Sequence, residues 1–329
     1  MIFIANFFDA KRFSTHRSGL MGVAILLIML FHFASIDYLF IGVDIFLFLS
    51  AFGLCFSLEK ESSLLSFYKR RFKRIIPVWF LVLLLVHLIG LISFHFSLDT
   101  HFDTVPHNVW QSITWYTGLG YWIVNFVPVE TPLEWFYEWY VPALLLFYFI
   151  TPWLFKQKNI VLIAIILVAL VINPYIVDHL PYNNSLQLSL FRIPIFLVGI
   201  LYYRMLSKSI SFHMSIIILS CLIGVVLFFG SFFEIINIAK TYIFLFIVPF
   251  VCIVITHFLD WMNLNRMMSF LGGISLELYL IHLYNRPIYL VKLMFDDRII
   301  VLIISFVICV IVAYLLHLVV SYLYSKMTR

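Results

Sequence analysis

Charge is scarce in this chain. Only 11% of its 329 residues are Asp, Glu, Lys or Arg, against roughly a quarter in ordinary soluble domains. That deficit excludes a soluble globular enzyme, because a folded chain of this length still exposes a large area to water. It excludes a disordered chain as well. Cysteine is also sparse: Cys55, Cys221, Cys252 and Cys309 lie within apolar runs, with no pair at metal-ligand spacing. A secreted disulfide scaffold is therefore ruled out, no metal is expected, and the four read as small apolar residues. The excess of 21 Lys and Arg over 16 Asp and Glu is too small to suggest a nucleic-acid partner. A signal peptide is not expected, because the short apolar stretch Met1–Phe8 precedes Lys11 and Arg12, the reverse of the signal order. With no long hydrophilic linker and no internal repeat, the expectation is a single membrane domain over 1–329.

What the chain has in abundance is apolar length. Hydrophobic residues make up 64%, and runs long enough to span a bilayer follow one another almost without a break. They fall at about 20–37, 39–58, 75–97, 132–154, 160–178, 188–206, 214–233, 241–260, 267–285 and 299–324. The pattern predicts an all-α polytopic integral membrane bundle of about ten helices. Segment 109–125 is weaker, interrupted by Gln111, Thr114, Gly118, Gly120 and Asn125. Lys and Arg decide its fate. Lys11, Arg12 and Arg17 place the N-terminus in the cytoplasm, and so does the run from Lys69 to Arg74 for the loop after the second span. If 109–125 does not cross, Lys156, Lys158, Arg204, Lys208, Lys326 and Arg329 all fall inside, and the misfits are Lys240, Arg286, Lys292 and Arg298. Ten crossings with both termini cytoplasmic are therefore expected, with 109–125 as a re-entrant or outer-surface element.

Ionisable side chains inside spans are costly and usually face the bundle interior. The informative ones here are His32, Asp44, His87, Glu134, Glu138, Arg192, His257, Glu277 and His282. His32 lies about 18 Å beyond Leu20 at ~1.5 Å per residue, past the midplane. It is either a base for a hydroxyl nucleophile or a histidine satisfied by one packing partner. Asp44 follows a very short loop and is expected at similar depth on the next helix. It either orients the imidazole or stabilises a helix N-terminus.

The run Lys69-Arg70-Arg71-Phe72-Lys73-Arg74 before Pro77 serves topology, or its arginine forks hold phosphate oxygens. Coenzyme A or an anionic lipid headgroup would fit. Glu134 and Glu138, flanked by Trp135 and Trp139, are one turn apart. They suit a sugar or a shared proton, or simply an interfacial helix end. The outer cluster His95, Asp99, His101, Asp103 and His107 matches no metal motif and reads as a solvated loop.

Five blocks together resemble the integral-membrane acyltransferase 3 family, O-acyltransferases of bacterial surface glycans. They are Arg17 to His32, Ile41-Gly-Val-Asp-Ile-Phe-Leu-Phe-Leu-Ser-Ala-Phe-Gly53, Phe67 to Pro77, Trp139-Tyr-Val-Pro-Ala143, and Leu271-Gly-Gly-Ile-Ser-Leu-Glu-Leu-Tyr-Leu-Ile-His282. The chain departs from the family pattern at Met21, where an arginine is usual eleven residues before the histidine, with Arg17 one turn earlier. It also has Ser50-Ala51 in place of Ser-Gly, and the fused esterase-like domain that some relatives carry is not expected here. The resemblance implies a multi-pass bacterial plasma-membrane enzyme moving an acyl group, usually acetyl, from cytoplasmic acetyl-CoA or another acyl-CoA to a hydroxyl of a surface or lipid-linked glycan. It implies His32 as base or transient acyl carrier oriented by Asp44. Arg17, Arg70, Arg71 and Arg74 would take the donor's phosphates. Glu134, Glu138, Trp139, Tyr279 and His282 would line the acceptor side. A transporter or flippase, which usually shows inverted repeats, and a non-catalytic membrane scaffold are the alternatives.

Overall fold

A computed structural model of the chain describes residues 10–60, 63–95, 106, 108–126, 139–179, 186–207, 213–233, 240–283 and 297–327. Every regular element among them is helical: α1 (Ala10–Ala34), α2 (Ile41–Lys60), α3 (Leu64–His95), α4 (Val109–Thr117), α5 (Leu119–Ile123), α6 (Tyr140–Lys156), α7 (Asn159–Asp178), α8 (Gln187–Leu190), α9 (Ile193–Ser207), α10 (His213–Phe232), α11 (Lys240–Trp261), α12 (Asn265–Gly273), α13 (Ser275–Leu283) and α14 (Arg298–Met327). Seven stretches are long and apolar enough to cross a bilayer, and Tyr140–Lys156 and Ile217–Phe232 are shorter apolar helices. Helix α14 leaves Ile299, Ile303, Val307, Ile311 and Leu315 exposed, a stripe that only lipid can cover. The chain is a multi-pass membrane protein.

The helices differ from the apolar runs where polar residues continue a helical backbone. Helix α1 starts at Ala10, so Arg12 and Arg17 lie within it and His32 falls in its last turn. Helix α3 starts at Leu64 and carries the basic run through Pro77 without a break. The run 267–285 is not one helix. It divides at Ile274 into α12 and α13, each nine residues long.

The chain forms two compact units. The first comprises Met1–Lys60, Lys158–Leu162 and Pro194–Arg329; the second comprises Glu61–Gln157 and Ile163–Ile193. In the first, α1 is the central helix, and α2, α11, α12 and α13 pack on it. Glycine makes one of these contacts possible. A Cβ at Gly22 would overlap the Met268 carbonyl oxygen, and a Cβ at Gly272 would overlap the Ser18 carbonyl oxygen and sit 3.0 Å from the Gly22 nitrogen. The backbones of α1 and α12 therefore touch, as small residues spaced four apart allow between membrane helices. A Cβ at Gly42 would likewise overlap the Ala24 carbonyl oxygen, which draws α2 onto α1.

The two ends of this unit are distinct. At one, Phe13 meets Phe52 and Tyr202 at centroid distances of 4.9 and 5.5 Å. Arg12 donates through Nε and Nη2 to Asp260 Oδ2, and His16 Nε2 lies 2.5 Å from Asp260 Oδ1. At the other, Ser35 takes a left-handed conformation (φ 53°) that stops α1. There Arg298 donates to the Ala34 carbonyl at 2.8 Å, and Lys240 pairs with Asp37 at 3.3 Å.

In the second unit, α3 packs on α6, and 109–126 folds into two short helices. Gly118 (φ 71°) turns the chain between α4 and α5 and leaves room for Trp79 and Pro142, which a Cβ would meet at 2.7 and 2.8 Å. Nine and five residues are far short of the roughly 20 that a helical crossing needs. Two buried polar side chains here are paired within the unit, since Tyr121 donates to Ser189 Oγ at 2.8 Å and Asn125 Oδ1 accepts from the Leu186 amide at 3.0 Å, whereas Trp115 Nε1 is buried without a hydrogen-bond partner among the described residues. Non-spanning backbone at membrane depth is tolerated on those terms.

Candidate active site

The parallel course of α1 and α13 assembles the site in the first unit. Ten residues separate Gly22 from His32, and ten separate Gly272 from His282. Both segments run on from the point where the backbones touch, the second across the break at Ile274, and both bring a histidine to the other. His282 Nε2 lies 3.1 Å from His32 Nδ1. The rings meet edge to face with centroids 4.9 Å apart. Each Nδ1 also lies 3.0 Å from the carbonyl oxygen one turn back, Ile28 for His32 and Leu278 for His282. His282 is fully buried and His32 is half-buried. His32 Nε2 has no hydrogen-bond partner among the described residues.

Aromatic side chains surround the pair. Phe31 and Phe33 approach His32 and His282 at 4.8 and 6.2 Å, and Tyr279 lies 5.4 Å from His282. One face of His32 thus remains open at the end of α1, beside a rim that carries Asp37, Lys240 and Arg298. At the far end of the same helix, fifteen residues and about 22 Å away, the guanidinium of Arg17 occupies the space left by Gly53 on α2.

Asp44 is fully buried in the first turn of α2. His32 Nδ1 lies within hydrogen-bond distance of the Ile28 carbonyl oxygen and of His282 Nε2. His87 is accounted for structurally, with Nδ1 2.9 Å from the Tyr116 hydroxyl and Nε2 3.0 Å from the Pro106 carbonyl.

The remaining candidates lie in the second unit. On α3, Arg70 and Arg74 are exposed. Arg71 is half-buried with its guanidinium over the Phe67 ring at 5.7 Å, and its Nε is shielded from solvent without a hydrogen-bond partner among the described residues. Trp139 is buried beneath the Arg192 guanidinium at 4.8 Å, and Arg192 donates to the Leu188 carbonyl at 2.7 Å. Glu134 and Glu138 lie outside the described residues, as do Asp99, His101, Asp103 and His107.

Four residues escaped the sequence reading as parts of these contacts. His317 on α14 holds buried Glu277 at 2.7 Å, although an ionisable residue inside the 299–324 run is itself a signal. His16 and Asp260 link α1 to α11. Gly53, a lone glycine in an apolar helical run, is the seat of Arg17.

The fold is that of a multi-pass membrane protein, and it brings half-buried His32 against buried His282. The chain belongs to the acyltransferase 3 family: the family's profile, described as an acyltransferase domain, matches residues 19–318. The protein is a membrane acyltransferase. The match takes in His32, Asp44, the basic helix, Trp139, Tyr279 and His282, and Arg17 lies two residues before it. No curated protein and no solved structure matches the chain.

Proposed function

We propose that the protein moves an acyl group, usually acetyl, from cytoplasmic acyl-CoA to a hydroxyl of a surface or lipid-linked glycan, with His32 as the base. The observation that carries this reading is that His32 Nε2 has no hydrogen-bond partner among the described residues of a chain that belongs to an acyltransferase family. Nε2 takes the proton from the acceptor hydroxyl, the oxygen attacks the thioester carbonyl, and the carbon–sulfur bond breaks. The imidazolium then returns its proton to the departing thiolate. Atoms and charge balance as acyl-CoA plus alcohol giving ester plus free coenzyme A. General acid–base assistance of this kind is worth roughly 10²- to 10⁴-fold.

Arg70, Arg71 and Arg74 hold donor phosphates in this reading. Support comes from the solvent-shielded Arg71 Nε, a charged donor that lacks a protein acceptor among the described residues. Arg17 serves the same purpose at the start of α1, in place of the arginine that Met21 replaces. A donor anchored there must span about 22 Å along α1 to bring a thioester to His32. Coenzyme A has such a reach, because its pantetheine arm separates the phosphates from the sulfur. Trp139, Tyr279, Glu134 and Glu138 are assigned to the acceptor side, and Asp44 to electrostatic support of the imidazolium.

The same reading places the Arg12–Arg17 end of the first unit in the cytoplasm of a bacterial plasma membrane, with both termini on that side. The positive-inside rule supports it. Two of the four misfit cations are engaged at the opposite end, Lys240 with Asp37 and Arg298 with the Ala34 carbonyl.

The test is acyl transfer by purified protein in lipid nanodiscs with acetyl-CoA and an acceptor glycan. His32→Ala is expected to lower kcat by at least about 10²-fold with the protein still folded. Undiminished transfer would remove His32 from the mechanism.

A further inference from the structure

The positions of the protons follow from the acceptors around the two rings. A carbonyl oxygen only accepts. Leu278 O, at 3.0 Å, therefore requires a hydrogen on His282 Nδ1, and Ile28 O, at 3.0 Å, requires one on His32 Nδ1. In neutral His282 the other nitrogen, Nε2, is then a lone pair, and it faces His32 Nδ1 at 3.1 Å. The arrangement closes without conflict: His32 Nδ1–H is shared between the Ile28 carbonyl and His282 Nε2. The reverse assignment, with His282 Nε2–H donating to an unprotonated His32 Nδ1, sets a nitrogen lone pair against a carbonyl oxygen in both rings.

We propose that His282 is a positioning residue of this site: it accepts the Nδ1 proton of His32 and thereby holds His32 in the tautomer whose Nε2 is the free base. This rests on the acyl-transfer reading only for its consequence, since the tautomer stands on geometry alone. When Nε2 takes a proton from the acceptor, the new charge is delocalised to Nδ1–H, which already points at an acceptor. His282 is buried, and its own Nδ1–H is anchored on Leu278, so that acceptor is in place before the reaction. The burial of His282 against Phe33 and Tyr279 explains how a neutral imidazole serves where a carboxylate would carry a desolvation cost. Triad hydrolases use a carboxylate for the same task.

Two measurements on the full chain in nanodiscs test this. The first is nitrogen NMR of ¹⁵N-histidine protein, with the His32 signals assigned by their loss in His32→Ala. Neutral His32 is expected to carry its hydrogen on Nδ1, with a through-hydrogen-bond correlation to His282 Nε2. A hydrogen on Nε2, or no correlation between the rings, overturns the proposal. The second is kinetic. His282→Ala is expected to lower kcat about 10- to 100-fold, the loss of one hydrogen bond to a charged group, with KM for the acyl donor unchanged. His282→Gln, whose side-chain oxygen accepts near the Nε2 position, is expected to recover most of that loss. A kcat unchanged in His282→Ala, or no recovery in a folded His282→Gln, overturns it. The two readings fail separately. Ring correlation without any acyl transfer sinks the reaction and leaves the pair; an active enzyme without the correlation sinks the pair and leaves the reaction.

Discussion

Two adjacent glycines give the sharpest test of how the site is assembled. Gly272 is pressed between α12 and α1, where a Cβ would overlap the Ser18 carbonyl oxygen and crowd the Gly22 nitrogen. Gly273, the next residue, has nothing within 4 Å of its Cβ position. The obstacle at Gly272 is backbone on both sides, so it cannot swing away as a side chain can. Gly272→Ala must push the helices apart by about the missing van der Waals clearance, on the order of 1 Å. Overpacking of this kind costs roughly 1–3 kcal/mol. Ten residues further on, the same displacement stretches the 3.1 Å contact between His32 and His282 beyond hydrogen-bond range. A misplacement of about 1 Å at a reacting group costs about 10²-fold in rate. Gly273→Ala removes only backbone freedom, and the expected change is neutral to about 1 kcal/mol stabilising. The assay is thermal unfolding in nanodiscs alongside acyl transfer for the two variants. Equal melting temperatures and equal rates would refute the account, because the variants differ by one residue position and only the packing distinguishes them.

Two further outcomes are expected. Arg71→Met is predicted to raise KM for acyl-CoA about 10- to 100-fold, the scale of one or two charge-assisted contacts, while thermal stability is unchanged or higher, since a shielded guanidinium nitrogen is removed; a loss of stability with normal KM would make Arg71 structural. An impermeant maleimide applied to intact cells is expected to label Asp37→Cys, whereas Lys60→Cys at the other end of the first unit reacts only after permeabilisation. Labelling in the opposite sense would invert the orientation and place the arginines outside.

Much of the fold is legible in the sequence, because the bilayer demands little of it. A long run without charge satisfies its backbone as a helix, and the seven stretches long and apolar enough to cross fall on predicted runs, fewer than the ten crossings expected. The cost of polar groups in lipid likewise singles out His32, Asp44, Glu277 and His282 by composition alone. The limits of legibility are equally physical. Helix ends extend past the apolar runs at Ala10 and Leu64, because hydropathy measures lipid contact and a helical backbone continues into the interface. The split of 267–285 at Ile274 follows Gly272-Gly273, a local breaker signal that a reading by hydropathy alone passes over.

The chain's composition by itself determined that lipid is its solvent, that helices carry it across, and that a basic run sits beside a span. Pairing is different. That a His282 nitrogen lies beside His32 depends on two backbones meeting at Gly22 and Gly272, 250 residues apart. A hydrogen bond needs its partners placed to within a few tenths of an ångström. Only the packing of whole helices sets distances that fine, and the same packing decides which nitrogen of a buried imidazole is left to act.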